Sequence, residues 1–372
     1  MEEATGAPSS LTDLDPKRLR ASGRDGGGVV NQPPSSLSIL FSRHTKRREF
    51  ISLLGYAAAW PLAARAQQER VRRVGVLMAL TPSDPEAQLR VNALEAGLRD
   101  LGWVEGRNLR IDYRWAPGDA NALRAQAVEL INSTPDLILA HSTPVVAALR
   151  QDGLAVPIVF VQVTDPVGGG FVLNFARPGG HLTGFTSFEF TIGSKWLEAL
   201  KLVAPAIGRV AVLFNPDMAP FAQQFWQPVK DAAPSFDVEP MQMPVHDVAE
   251  IEHAIAKFAS KGDGGLMVLP DVSATYHRDL IIALAARHRL PAVYPLRVFA
   301  ASGGLMSYGS DVAAIYRRAA GYLDRIFKGA VVGDLPVQAP DKFELVINLK
   351  TATALALTVP PLLLARADEV IE

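Results

Sequence analysis

From Arg73 onward the chain alternates short apolar runs with stretches in which apolar residues recur every three or four positions. Arg73-Val74-Gly75-Val76-Leu77-Met78 reads as a buried strand. Ala87 to Leu101 follows with Leu89, Ala93, Leu94 and Leu98 at helical spacing, and Gly102 stops it. The same alternation predicts strands over Leu109 to Trp115, Asp136 to Ala140 and Pro157 to Val163, with helices over Ala122 to Ile131 and Pro144 to Arg150. Short β-rich runs separated by helical ones argue for βαβ units on a parallel sheet.

At about residue 208 the pattern starts again. Arg209 to Phe214, Val238 to Met243, Gly265 to Asp271 and Pro291 to Tyr294 read as strands, and Ala222 to Ala232, Val248 to Phe258 and Tyr276 to Arg289 as helices. Val74 aligns with Val210, Leu137 with Leu266 and Pro157 with Pro291, a shift of roughly 130 residues, far longer than a solenoid period. The expected fold class is therefore α/β, with two similar doubly wound parallel-sheet lobes. A helix over Val312 to Phe327, ended by Gly329, and a strand over Glu344 to Asn348 then break the simple doubling. If that helix returns to the first lobe and the strand to the second, several crossings form a hinge. The expected division is 67–185 plus 310–330 for lobe 1, 186–309 plus 331–360 for lobe 2, and 361–372 as a C-terminal tail.

The first 44 residues show no apolar period and are rich in Gly, Pro and Ser, as in Gly26-Gly27-Gly28 and Pro33-Pro34-Ser35-Ser36, a composition expected to stay disordered. Residues 45–66 join a basic flank with Arg47-Arg48, a short apolar core and Ala64-Arg65-Ala66, the three parts of an export signal cleaved after Ala66. The core is too short to span a bilayer. Arg47 and Arg48 followed by x-Phe-Ile fit a twin-arginine signal, and general secretion stands as the alternative route. A signal beginning so far into the chain suggests an internal translation start at Val29, Val30, Leu37 or Leu40.

Composition narrows the chemistry. A net charge of -1 gives no electrostatic reason to expect nucleic acid or an anionic membrane as partner. The absence of Cys excludes disulfides, thiolate metal sites, thiol nucleophiles and a lipid-anchor cysteine. The 7 His are scattered without a His-Glu-x-x-His pair, and neither a Gly-x-Ser-x-Gly elbow nor a Gly-Lys-Ser/Thr phosphate loop occurs. Gly168-Gly169-Gly170 lacks dinucleotide spacing and reads as a turn. No cofactor, metal or catalytic residue is expected. An exported enzyme on a doubly wound α/β fold is the alternative; a ligand-sensing repressor would need a helix-turn-helix ahead of lobe 1, which residues 1–66 do not supply.

In open parallel sheets ligands bind beyond the carboxyl ends of the strands. Those ends nominate Thr81, Ser142, Thr143 and Asp165 in lobe 1, Asn215 and Asp271 in lobe 2, and Tyr308 at the crossover. Ser142-Thr143 stands at a helix start whose free N–H groups suit a carboxylate, or simply caps that helix. Asp165 and Asp271 occupy equivalent strand ends and could pair with a ligand ammonium; for Asp165 an Asp-Pro turn is the competing reading. Asn215 could orient a ligand or cap the next helix, and Tyr308 could form an aromatic wall or pack in the core.

Several motifs carry a resemblance. They are Arg48 to Gly55, Gly102-Trp103-Val104-Glu105-Gly106-Arg107-Asn108, Thr164-Asp165-Pro166-Val167-Gly168, Arg177-Pro178-Gly179-Gly180 with Leu182-Thr183-Gly184, Phe214-Asn215-Pro216, and Lys342 to Asn348. From about Arg47 to the C-terminus the chain resembles the ABC transporter substrate-binding proteins of the tryptophan/tyrosine-type group, which share the type I periplasmic binding protein fold. His181 departs from the Asn usual at that place. The resemblance implies a monomeric, periplasmic receptor that closes around a small molecule, an amino acid or related small carboxylate, and delivers it to an ABC importer permease.

Overall fold

The computed structural model describes residues 70–117, 120–150 and 156–372. The export-signal reading at Arg47-Arg48, the cleavage after Ala66 and the reading of residues 1–44 lie outside the described residues.

The described residues form one compact unit containing two sheets. In the first half, strands β1 (Arg72–Met78), β2 (Leu109–Trp115), β3 (Leu137–His141), β4 (Ile158–Val161) and β5 (Leu182–Phe185) are linked through helices α1 (Pro85–Asp100), α2 (Ala120–Asn132) and α3 (Thr143–Arg150). They make a parallel sheet in the order β2-β1-β3-β4-β5. β1, β3 and β4 are buried nearly throughout, which is why they read as continuous apolar runs rather than as alternation.

The second half repeats the design. Its elements are α4 (Ile192–Val203), β6 (Arg209–Phe214), α5 (Ala222–Ala232), β7 (Glu239–Pro244), α6 (Val248–Ala259), β8 (Gly264–Val268), α7 (Val272–Tyr276), α8 (Arg278–Arg287), β9 (Ala292–Tyr294), α9 (Arg297–Ala301) and β10 (Met306–Ser310). The order β7-β6-β8-β9-β10 reproduces that of the first sheet strand for strand. The helix expected over Tyr276 to Arg289 is α8, and a short helix not expected from the sequence, α7, capped by Asp271 and ending at Tyr276, precedes it.

Helix α10 (Val312–Phe327) then returns to the first lobe. Asp311 caps it by accepting from Ala314 N, and Gly329 at φ +97 follows its end. Its apolar stripe packs on α1 so closely that a Cβ on Gly97 would sit 2.8 Å from the Arg317 carbonyl oxygen. The Gly102-Trp103 motif secures the same contact: Trp103 Nε1 donates to Asp324 Oδ1 at 3.0 Å and its ring meets Phe327 at 4.9 Å.

Residues 331–338, expected in lobe 2, lie along the edge of lobe 1. Gly179 N donates to Gly333 O, Thr183 Oγ1 to Leu335 O, and Gln338 N to Gly184 O. Only then does the chain cross to β11 (Phe343–Asn348), which joins β10 antiparallel. Residues 361–372 are likewise not a loose tail. After α11 (Leu349–Ala354), Pro361 opens a short helix α12 (Pro361–Arg366), and β12 (Glu369–Ile371) pairs with β11 as the sheet edge, tied by the Arg297–Glu369 ion pair. The chain thus passes between lobes at 185–188, 310–312 and 338–343.

Candidate functional site

The carboxyl ends of both sheets face one another across a cavity of about 40 Å³. Lobe 1 supplies Leu80 after β1, His141 to Pro144 around the β3–α3 turn, and Gln162 and Thr164 after β4. Lobe 2 supplies Met218 and Phe221 after β6, Pro270, Asp271, Val272 and Thr275 after β8, and Leu296 after β9. Ser187 and Phe188, on the first crossing, close the back.

Two of these residues hold backbone conformations that L-residues rarely adopt: Ser142 at φ 78 and Gln162 at φ 58. Such strain persists where the surroundings over-determine it, and here both residues directly follow strands that end at the cavity. The turn leaves the Ser142 Oγ buried with no hydrogen-bond partner, and the Ser187 Oγ is in the same condition.

The strongest cation of the cavity is Arg90, from the middle of α1 and 1% exposed. Its Nε donates to Gln162 Oε1 at 2.9 Å, and its Nη1 to Glu86 O at 2.7 Å and Glu86 Oε2 at 2.8 Å. No acceptor among the described residues meets its Nη2, so the two N–H groups of that nitrogen remain free for the oxygen of an anionic solute.

His141 is the cavity's imidazole. Burial and the neighbouring Arg90 charge hold its pKa well below the usual value, so it is neutral. Its Nδ1 accepts from Ala79 N at 3.2 Å, which puts the proton on Nε2.

Asp271 faces these groups from lobe 2. Its Oδ1 accepts from Ala274 N at 2.6 Å and its Oδ2 from Asn215 N at 3.1 Å. Burial pushes its pKa up to about 6 despite those backbone N–H groups. Thr275 Oγ1 donates to the Asp271 carbonyl at 2.9 Å, fixing the turn.

Of the residues nominated from sequence, Ser142, Thr143 and Asp271 line this cavity. Asn215 stands behind Asp271: its Oδ1 accepts from Asp217 N, and its Nδ2 donates to His246 O and Ser273 Oγ, so the amide is spent on the local turn. Thr81, Asp165 and Tyr308 do not line it. Thr81 offers its carbonyl to Asp84 N in the turn before α1. Asp165 is the Asp-Pro turn residue, accepting from Gly168 N at 2.7 Å. Tyr308 lies on the face of the second sheet, its ring 5.9 Å from Phe343, beside a separate cavity of about 440 Å³. Sequence reasoning missed Arg90, Gln162, His141, Ser187, Phe188, Phe221 and Thr275. His141 and Gln162 carried a signal, each as a polar residue at or near the end of an apolar strand.

With this geometry established, the comparisons with known proteins decide the family. The profile of the ABC transporter substrate binding protein family matches residues 74–371. The chain belongs to that family. As an ABC transporter substrate-binding protein it captures a small solute between its lobes for an ABC importer, and the interlobe cavity is where the strand ends of both lobes meet. A "Tyrosine-binding protein" of Clostridioides difficile (strain R20291) is 29% identical over 258 residues, covering 69% of this chain and 74% of the relative. Among solved structures, a conserved domain protein from Vibrio cholerae superposes with a TM-score of 0.75 at 27% identity, covering 81% of this substrate-binding protein and 100% of that chain. An ABC domain from Streptococcus pneumonia, solved in complex with L-Trp, gives a TM-score of 0.75 at 23% identity over 81% of this chain and 99% of that one. Among the described residues no helix is long and apolar enough to cross a membrane.

Proposed function

We propose that the solute is an amino acid, gripped by its carboxylate in lobe 1 and by its ammonium in lobe 2. The observation that carries this reading is the pairing, across one cavity, of a buried guanidinium with a free Nη2 and a buried carboxylate. Arg90 and the Ser142 Oγ take the carboxylate, helped by the start of α3. Asp271 takes the ammonium. Phe188, Phe221, Met218 and Leu296 supply apolar walls for a side chain, and the tyrosine named for the Clostridioides relative suits such walls. The space of about 40 Å³ has room for a few waters, so a solute of this size enters with the lobes further apart.

The reading is one of binding without chemistry. The lone-pair nitrogen of His141 is occupied by Ala79 N–H, so the imidazole beside Ser142 offers no base to a nucleophile. The chain works as a monomer in the periplasm, delivered there by the Arg47-Arg48 signal and cleaved after Ala66, and hands its solute to the permease of an ABC importer.

Titration calorimetry tests the grip. L-tyrosine binds with 1:1 stoichiometry, whereas tyramine, lacking the carboxylate, and the desamino acid, lacking the ammonium, each bind at least about 100-fold more weakly, as a site built to bond a group rejects the analogue without it. Equal affinity for all three compounds would overturn the proposal.

A further inference from the structure

Outside the cavity, one ion pair among the described residues joins the lobes directly. Arg278, the first residue of α8 in lobe 2, reaches Asp84 at the start of α1 in lobe 1: Nη1 to Oδ2 at 2.8 Å and Nη2 to Oδ1 at 3.2 Å. The two side chains are 12% and 6% exposed, so the contact is shielded from water. Neither residue lines the cavity, but Arg278 is one hydrogen bond from a residue that does, Thr275, and Asp84 is two, through Glu86 to Arg90. Asp84 caps α1 through Glu86 N, and Glu86 holds Arg90. Arg278 Nη1 also donates to the carbonyl of Thr275.

We propose that Asp84 and Arg278 form a closure latch, which sets how long the lobes stay shut on a solute without touching that solute. The proposal rests on the reading that the lobes close around a ligand. Its physical basis is differential: the pair stabilises only the arrangement that brings α1 and α8 together, and a contact unique to one state shifts the equilibrium by its own worth. The partners come from opposite lobes, so parting them hydrates both groups. Closing again excludes water from a two-bond, charge-assisted pair. The Gln224 Nε2 to Asp165 Oδ2 contact, at 3.3 Å, is a second interlobe bond, with one neutral partner and exposed surroundings.

Latch and ligand grip are separable by experiment. Asp84→Asn keeps the helix cap, because Asn caps as well as Asp, and removes the charge. Arg278→Gln removes the other partner. In the full chain, L-tyrosine should dissociate about tenfold faster from either variant in stopped-flow fluorescence, with association nearly unchanged, in the range of ordinary coupling between sites. The double variant should be little worse than either single one, since each single change leaves a charged or polar group shielded and alone.

The chain has no Cys, so spin labels placed at exposed Val128 in lobe 1 and Val248 in lobe 2 report the lobe separation without interference. Pulsed dipolar spectroscopy should show the short-distance population falling in Asp84→Asn even without ligand. An unchanged distance distribution together with an unchanged dissociation rate overturns the latch. If the wild-type chain ignores L-tyrosine, the amino-acid reading fails, and the label distances still decide the latch.

Discussion

Lowering the pH from 7.5 to 5.0 should weaken amino-acid binding through one side chain. Asp271 is buried, its pKa is raised to about 6, and it faces the cavity from the lobe opposite Arg90. A solute ammonium needs the ionised carboxylate, so binding must displace any proton held there. The dissociation constant then scales inversely with the ionised share: close to its limiting value at pH 7.5 and about tenfold larger at pH 5.0, one unit below the pKa. Burial and the neighbouring Arg90 charge hold the His141 pKa well below its usual value, which separates it from the group titrating near 6. Without ligand the sign for folding is opposite. A carboxyl whose folded pKa lies above its unfolded value of 3.8 stabilises the fold fully below pH 3.8, and this is lost as pH rises through 6, a loss of about 3 kcal/mol from a shift of about two units. Calorimetric titration with L-tyrosine in two buffers of different ionisation enthalpy reads both the affinity and the proton released. Asp271→Asn should flatten the profile at weakened affinity. A flat wild-type profile, or a slope that survives Asp271→Asn, would refute the assignment.

Three further outcomes follow from particular contacts. Arg90→Lys keeps a charge but loses the planar fork, so L-tyrosine affinity should fall at least about 100-fold while circular dichroism stays native. Gly97→Leu drives a side chain into the Arg317 carbonyl and the Ala320 Cβ, and should destabilise by about 1–3 kcal/mol in urea melts without altering solute affinity at low temperature. Asp165→Ala removes the cap on Gly168 N and should change L-tyrosine affinity by less than about threefold, because that carboxylate serves its turn; a larger loss would return it to the binding site.

The fold was legible wherever burial on both faces turned a strand into an unbroken apolar run. β1, β3, β6 and β8 all qualify, and their repetition revealed two lobes before any contact was known. β5 escaped notice because its four residues include Thr183 and Gly184, each used for a close contact: Thr183 with Leu335, and Gly184 at φ +158 where a Cβ would strike the Phe160 carbonyl. β12 escaped because three residues with one charge make no pattern. For the site, strand ends told where to look but not which side chains turn inward. Asp271 and Ser142 are on such ends. Arg90 is not: it sits in mid-helix on the face of Ala87, Leu94 and Leu98, a charge on an apolar stripe, and the strand-end rule does not reach it although Glu86 and Gln162 enclose it there. Tyr308 shows the converse, a residue near a crossing whose strand pleat aims it away from the cleft.

The first and third crossings lie side by side, with Thr186 N bonded to Gln338 O and Gln338 N to Gly184 O. Two strands stitched in this way behave as a ribbon: they bend across their flat face far more readily than they slide past each other. Any motion between the lobes should thereby be steered onto a single arc, like a leaf on a piano hinge. Each return along that arc should set Arg90 opposite Asp271 at the same separation, so under the proposed two-ended grip the ribbon as well as the cavity would select the length of the solute.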